Sequence, residues 1–210
     1  MIAVTGAAGF IGSNIVHALN RAGREDIIVC DVHANDEANA NLAPLRYERY
    51  LSKDNFRTWL NDRGNARRLE ALYHMGACSS TTETDWGYLA ENNLGYSRDL
   101  CLAALDGGAR FINASSAATY GDGELGYDDD QDPLDDLKPL NLYARSKQEF
   151  DLWARDEGLL DRIPEVAGRL LADKAILDEN PVVRKGRLVE DVPEAIIHRV
   201  SDFLRRHPIE

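Results

Sequence analysis

Three side chains in the middle of the sequence have the types and spacing for taking a proton from an alcohol as its carbon is oxidised. Tyr143 and Lys147 stand four positions apart, about one helical turn, so a helix places them on one face. A phenol has an ordinary pKa of about 10 and must be lowered to act as a base near neutral pH. A lysine ammonium on the same face favours the phenolate. Ser116, in the run "RFINASS", can hold a substrate hydroxyl in line from a strand end. A Tyr-x-x-x-Lys pair also arises by chance in a helix, so its weight depends on what surrounds it.

The opening run "MIAVTGAAGFIG" supplies the strongest context. Gly6, Gly9 and Gly12 fall between an apolar β-branched run and a helical pattern. Such a triplet allows a tight turn off the strand, close approach of a pyrophosphate to the backbone, and close helix–strand packing. The helix N-terminus then points free N–H groups and partial positive charge at phosphate. This predicts a dinucleotide site. An oxidised nicotinamide there would add a second positive charge near Tyr143. Asp31 closes the second predicted strand, where a carboxylate accepts hydrogen bonds from an adenosine ribose and repels a 2′-phosphate. That residue alone predicts NAD. Lys53 is the nearest lysine after it, and spacing leaves open whether it reverses the preference or is plain surface charge.

The elements that must position these groups alternate. Strands are expected at 2–5, 26–31, 69–75 and 110–116. Helices are expected from Ile11 to about Gly23, over a short segment with Phe56, Trp59 and Leu60 capped by Asp54, from Trp86 to Leu105, and from Leu142 to Glu157. Residues 34–45 and the acidic stretch 121–139 read as loops. Strand–helix alternation predicts an α/β fold: a Rossmann-like, doubly wound parallel sheet covered on both faces.

The bulk composition excludes other classes. The 210 residues carry a formal net charge of −12, so no basic surface is expected to meet nucleic acid. Cys30, Cys78 and Cys101 match no zinc spacing and no disulfide framework, and read as buried free thiols. No apolar run reaches 18 residues, and the N-terminal segment lacks a basic region before its apolar stretch. No membrane association, no metal and a cytoplasmic location are expected.

The runs "MIAVTGAAGFIGSN", "HMGACSSTTET", "ENNLGYS", "FINASSAATYGDG" and "PLNLYARSKQEFD" resemble the extended short-chain dehydrogenase/reductase superfamily. Within it they resemble the ADP-L-glycero-D-manno-heptose 6-epimerases. The resemblance implies a nucleotide-sugar epimerase that inverts C6″ of ADP-heptose by transient oxidation with bound NADP, feeding lipopolysaccharide core synthesis, and assembled as a homo-oligomer, a pentamer. It implies Ser116, Tyr143 and Lys147 as the catalytic trio. It adds Phe10 and Ile11 to the glycines, places Asp31 and Val32 at the ribose, and turns Lys53 toward the cofactor. Met75, Gly76, Ala77, Cys78 and Ser79 would line the cofactor after a strand. Asn92 would reach it from the long helix, and Lys147 would touch it as well. Ala117 and Ala118 stand where related sugar dehydratases carry an Asp-Glu pair, which disfavours dehydration.

The resemblance covers residues 1–163, expected as an NAD(P)-binding domain. Ala144-Arg145-Ser146 replaces the usual Gly-Tyr-Ser, and Val32 replaces an Asn, which keeps NAD as the alternative cofactor. Residues 164–210 are expected as a divergent, mainly helical tail, with a helix starting at Asp191 and Pro193 and an apolar stripe of Val192, Ile196, Val200, Phe203 and Leu204. The alternative function is a shortened relative that binds a dinucleotide without turning over sugar.

Overall fold

A computed structural model describes residues 1–32, 40–125 and 134–159. The expected tail helix, its apolar stripe and parts of both expected loops lie outside the described residues.

Five four- or five-residue strands form one parallel sheet: β1 (Ile2–Thr5), β2 (Ile27–Asp31), β3 (Arg49–Ser52), β4 (Ala71–His74) and β5 (Arg110–Asn113), in the order β3-β2-β1-β4-β5. Ile2 pairs with Ile27 on one side and Ala71 on the other. Nearly every position of β1, β2 and β4 is buried, which explains their continuous apolar runs. Side chains alternate between two faces. Ile2, Val4, Val29 and Tyr73 pack with Ile15, Val16 and Leu19 of α1 (Phe10–Arg21). Ala3, Ile28, Leu72 and Phe111 pack with α2 (Lys53–Asn61), the short α3 (Arg63–Ala66), α5 (Tyr96–Gly107) and α6 (Leu142–Asp156). Helices therefore cover both faces, as the alternation predicts.

The strand order reverses at β1, so β2 and β4 leave it in opposite directions. The carboxyl ends beside this switch point form the crevice where ligands enter such sheets. Each strand there ends on a polar residue: Thr5, Asp31, Ser52, His74 and Asn113.

Several expectations are corrected. β3 is absent from the sequence reading, because its four residues are partly exposed and show no apolar run. Ser52, not Asp54, caps α2 by accepting a hydrogen bond from the Asn55 amide. The last strand stops at Asn113, so Ser116 lies beyond it and caps a 3-10 turn over Ala117–Tyr120. The long helix is not uniform. Between α4 (Trp86–Leu89) and α5 the chain is π-helical over Ala90–Gly95. Cys30 and Cys101 are buried thiols outside any disulfide, but Cys78 is only partly buried.

Candidate active site

The glycine loop has the shape its spacing predicts. Gly6 sits at φ +63°, and a Cβ there would lie 2.8 Å from the Gly76 nitrogen, so the two crevice loops touch backbone to backbone. A Cβ on Gly12 would fall 2.1 Å from the Gly6 carbonyl oxygen. Gly9 is exposed and stands as the N-cap of α1, with no side-chain cap bond and no acidic residue in the first turn. The first amides of α1, including those of Phe10 and Ile11, thus face the crevice end without a side-chain acceptor. This cradle fits the diphosphate of a dinucleotide.

Asp31 braces that loop. Its Oδ2 accepts from the Ala8 amide at 2.9 Å and its Oδ1 from the Val32 amide at 2.8 Å. Asn41 donates to the Ala8 carbonyl at 2.8 Å. Val32 is 57% exposed, so it offers an apolar surface beside the carboxylate. Lys53 and Asn92 meet: the ammonium donates to Asn92 Oδ1 and lies 4.8 Å from the Tyr96 ring centre. Two of the expected cofactor contacts are thereby joined, and this lysine is engaged away from Asp31.

The loop after β4 carries Met75, Gly76, Ala77 and Cys78, all partly buried, whereas Ser79 is exposed. Two residues that sequence reasoning missed hold this loop. Asn93 is 1% exposed and clamps Cys78, accepting from its amide at 2.8 Å and donating to its carbonyl at 3.0 Å. The same amide group donates to Ser146 Oγ at 3.0 Å, and Ser146 donates to the Tyr143 carbonyl at 2.7 Å. The sequence cue was "NNLG" inside a helical run. Two Asn and a Gly are poor helix formers, and the backbone there widens to a π-helix, a form frequent at functional sites.

His74 is the second missed residue. Its Nδ1 lies 2.7 Å from Thr5 Oγ1 and its Nε2 lies 2.8 Å from Ser97 Oγ. Ser97 donates its hydroxyl to the Asn93 carbonyl, so it must accept from Nε2–H. Thr5 Oγ1 accepts from the Gly76 amide at 3.1 Å and so has its own proton free for Nδ1. The bonds fix a neutral imidazole protonated at Nε2. Complete burial, with Lys147 and Lys53 nearby, pushes its pKa down to about 3.

The catalytic candidates converge. Asn141 caps α6 by accepting from the Ala144 amide at 2.9 Å, which places Tyr143 in the first turn. The Ser116 side chain lies near enough to the Tyr143 phenol to draw its pKa down. Burial is larger, however, and Cys78 adds to it, so the Tyr143 pKa is raised overall. This corrects the expected lowering by Lys147. The ammonium of Lys147 is buried and donates instead to the Ala114 carbonyl at 2.8 Å. Burial lowers its pKa to about 8, opposed by Asp151. Arg145, the large charged residue that stands between Tyr143 and Lys147, does not crowd the site. Its guanidinium lies 4.1 Å from the Trp86 ring centre and its Nε bonds Glu149 at 2.7 Å.

A crevice of this kind, with an uncapped glycine turn on one side and Ser, Tyr and Lys on the other, defines a dinucleotide-binding α/β protein of the Rossmann type. The chain belongs to the NAD dependent epimerase/dehydratase family, whose model matches residues 2–170. It is 53% identical over 163 residues to the ADP-L-glycero-D-manno-heptose-6-epimerase of Nitratidesulfovibrio vulgaris strain Hildenborough, covering 78% of this chain and 50% of that one. The enzyme of the same name from Fusobacterium nucleatum is 47% identical over 156 residues, covering 73% and 47%. The chain thus spans about half the length of the curated relatives it matches.

Among solved structures, DesIV, a dTDP-glucose 4,6-dehydratase from Streptomyces venezuelae crystallised with NAD and TYD, aligns with a TM-score of 0.61. It is 27% identical, over 79% of this chain and 54% of that one. The ADP-L-glycero-D-manno-heptose-6-epimerase of Helicobacter pylori aligns at 0.59 and 24% identity, over 74% and 50%, a likeness of fold. Among the described residues, no helix is long and apolar enough to cross a membrane.

Proposed function

We propose that this chain carries the dinucleotide-binding and catalytic part of a nucleotide-sugar epimerase acting on ADP-heptose, inverting C6″ with bound NADP. The observation that carries the reading is the approach of Ser116 to the Tyr143 phenol, on the face that also bears buried Lys147. The names of the relatives at 47–53% identity supply the sugar.

Gly6, Gly9, Phe10, Ile11 and Gly12 would hold the diphosphate, Asp31 and Val32 the adenosine ribose, and Lys53, Asn92, Lys147 and residues 75–79 the remainder. The dinucleotide, when bound, would supply reversible hydride transfer at the sugar carbon. Tyr143 accepts the proton of the sugar hydroxyl and later gives it back. Ser116 holds that hydroxyl and favours the phenolate, and Lys147, bonded to the Ala114 carbonyl, would face the dinucleotide from the same helix. NAD stands as the alternative cofactor, since the Asp31 carboxylate would face a 2′-phosphate unfavourably. Residues 1–163 form the dinucleotide-binding unit in this proposal, with 164–210 as a separate tail.

A second reading, a relative that binds the dinucleotide without turnover, draws on the raised Tyr143 pKa. Incubation with one ADP-heptose epimer and either NADP or NAD, followed by resolution of the two epimers, separates them. Interconversion is expected, falling by about 10²–10⁴-fold in Tyr143→Phe, the usual worth of a positioned acid–base group. Clear dinucleotide binding with no inverted sugar would select the second reading.

A further inference from the structure

The proposed trio leaves one buried acid without a role. Asp151 is 4% exposed and lies one turn beyond Lys147 on α6. A carboxylate taken out of water is costly unless it is hydrogen-bonded or paired. Here Ser115 Oγ donates to its Oδ2 at 2.5 Å, and its charge supports the Lys147 ammonium. Lys147 in turn donates to the carbonyl of Ala114, the residue before Ser115. Two side chains of α6 therefore cross to adjacent residues of one turn, and the next residue of that turn is Ser116.

We propose that Asp151 is a positioning residue that keeps Lys147 charged and hooks the Ser115–Ser116 turn onto α6. One buried carboxylate then sets two of the three candidate catalytic side chains while touching no reacting atom itself. The consequence for turnover rests on the epimerase reading; the clasp does not.

Other groups face this region. Tyr143 and Asp151 stand one turn to either side of Lys147 on α6. His74 faces it from β4 and stays neutral, its ionisation opposed by Lys147. Lys53, at the start of α2, acts on His74 in the same sense. Cys78, after β4, acts on Tyr143. Among them, Asp151 is the group that raises the Lys147 pKa, against burial.

The test is a pH titration of the whole chain, without cofactor or substrate, read by NMR at lysine 13Cε and aspartate 13Cγ. In the wild type, Lys147 is expected to titrate near 8, and the Asp151 carboxyl carbon to show a step at the same pH. Asp151→Asn keeps an acceptor for Ser115 and loses only the charge. It is expected to lower the Lys147 midpoint by about one unit, the usual size for loss of one nearby opposite charge. Ser115→Ala keeps the charge and should leave the midpoint in place. An unmoved midpoint in Asp151→Asn overturns the proposal. So does a wild-type Asp151 carbon with no step at the Lys147 midpoint, a result that decides even where the Asn variant does not fold. None of these readouts needs turnover, so a failed epimerase assay leaves the clasp standing and a flat titration leaves the epimerase assay standing.

Discussion

Gly12→Ala is expected to weaken dinucleotide binding by at least about 100-fold, some 2.7 kcal/mol, and to destabilise the fold by about 1–3 kcal/mol. The added methyl would sit 2.1 Å from the Gly6 carbonyl oxygen, 2.7 Å from its carbon and 2.8 Å from the Ala7 Cα. All three are backbone atoms of the turn that forms the anion cradle, so no side chain can swing aside. Relief requires α1 to move off β1, which carries the free amides away from the diphosphate. Calorimetric titration with NADP and NAD measures the first effect, and urea unfolding the second. Gly23→Ala is the control. That glycine has φ +83° but open space around it, so alanine there should cost only backbone strain of order 1 kcal/mol and leave binding intact. Unchanged affinity in Gly12→Ala would contradict the cradle.

The second large effect concerns acid. His74 is neutral in the fold, with its pKa depressed from 6.5 to about 3. The unfolded chain binds a proton at this residue below pH 6.5 and the folded chain does not. The His74 contribution is therefore complete above pH 6.5 and is lost as pH falls toward 3, at roughly 1.4 kcal/mol per unit. His74→Gln removes the titration. It should be less stable than wild type at pH 7, because the Thr5 and Ser97 bonds are disturbed. The gap should then narrow by about 2–3 kcal/mol between pH 7 and pH 4.5. Urea midpoints for both proteins across that range measure it. A gap independent of pH would mean that His74 is not held neutral by its surroundings. The Thr5 hydroxyl that bonds Nδ1 also accepts from the Gly76 amide beside Gly6. Because the folded imidazole stays neutral down to about pH 3, its titration should leave dinucleotide affinity unchanged between pH 7 and pH 4.5.

How much of this was legible depended on whether the cause was local. The glycine triplet declares a backbone requirement at fixed spacing, and the apolar runs of β1, β2 and β4 declare burial on both faces. Both were readable. β3 was not, because RYLS is a half-exposed strand that gains its order from pairing with β2. Ser116 was identified but placed on a strand, since "FINASS" continues the pattern past the point where pairing stops at Asn113. The direction of the Tyr143 pKa was out of reach. Four-residue spacing to Lys147 suggested lowering, but burial decides it, and Lys147 is turned to the Ala114 carbonyl. Asn93, His74 and Asp151 were missed for one reason: each works through a contact with a distant segment.

The sheet's wiring has a consequence for how the chain comes into being. Thr5 and His74 lie side by side yet are separated by 69 residues in sequence. Ser115 and Asp151 lie a further 36 apart. During synthesis β1 and β2 can zip early, but the inner edge of β1 must wait for β4, and the tyrosine arrives later still. A nascent chain thus spends a long interval with an unclosed apolar ribbon, and slow, non-local pairing of this sort exposes it to clumping. Shielding by ribosome-associated chaperones is expected to matter most in the stretch of elongation before residue 74 clears the exit tunnel.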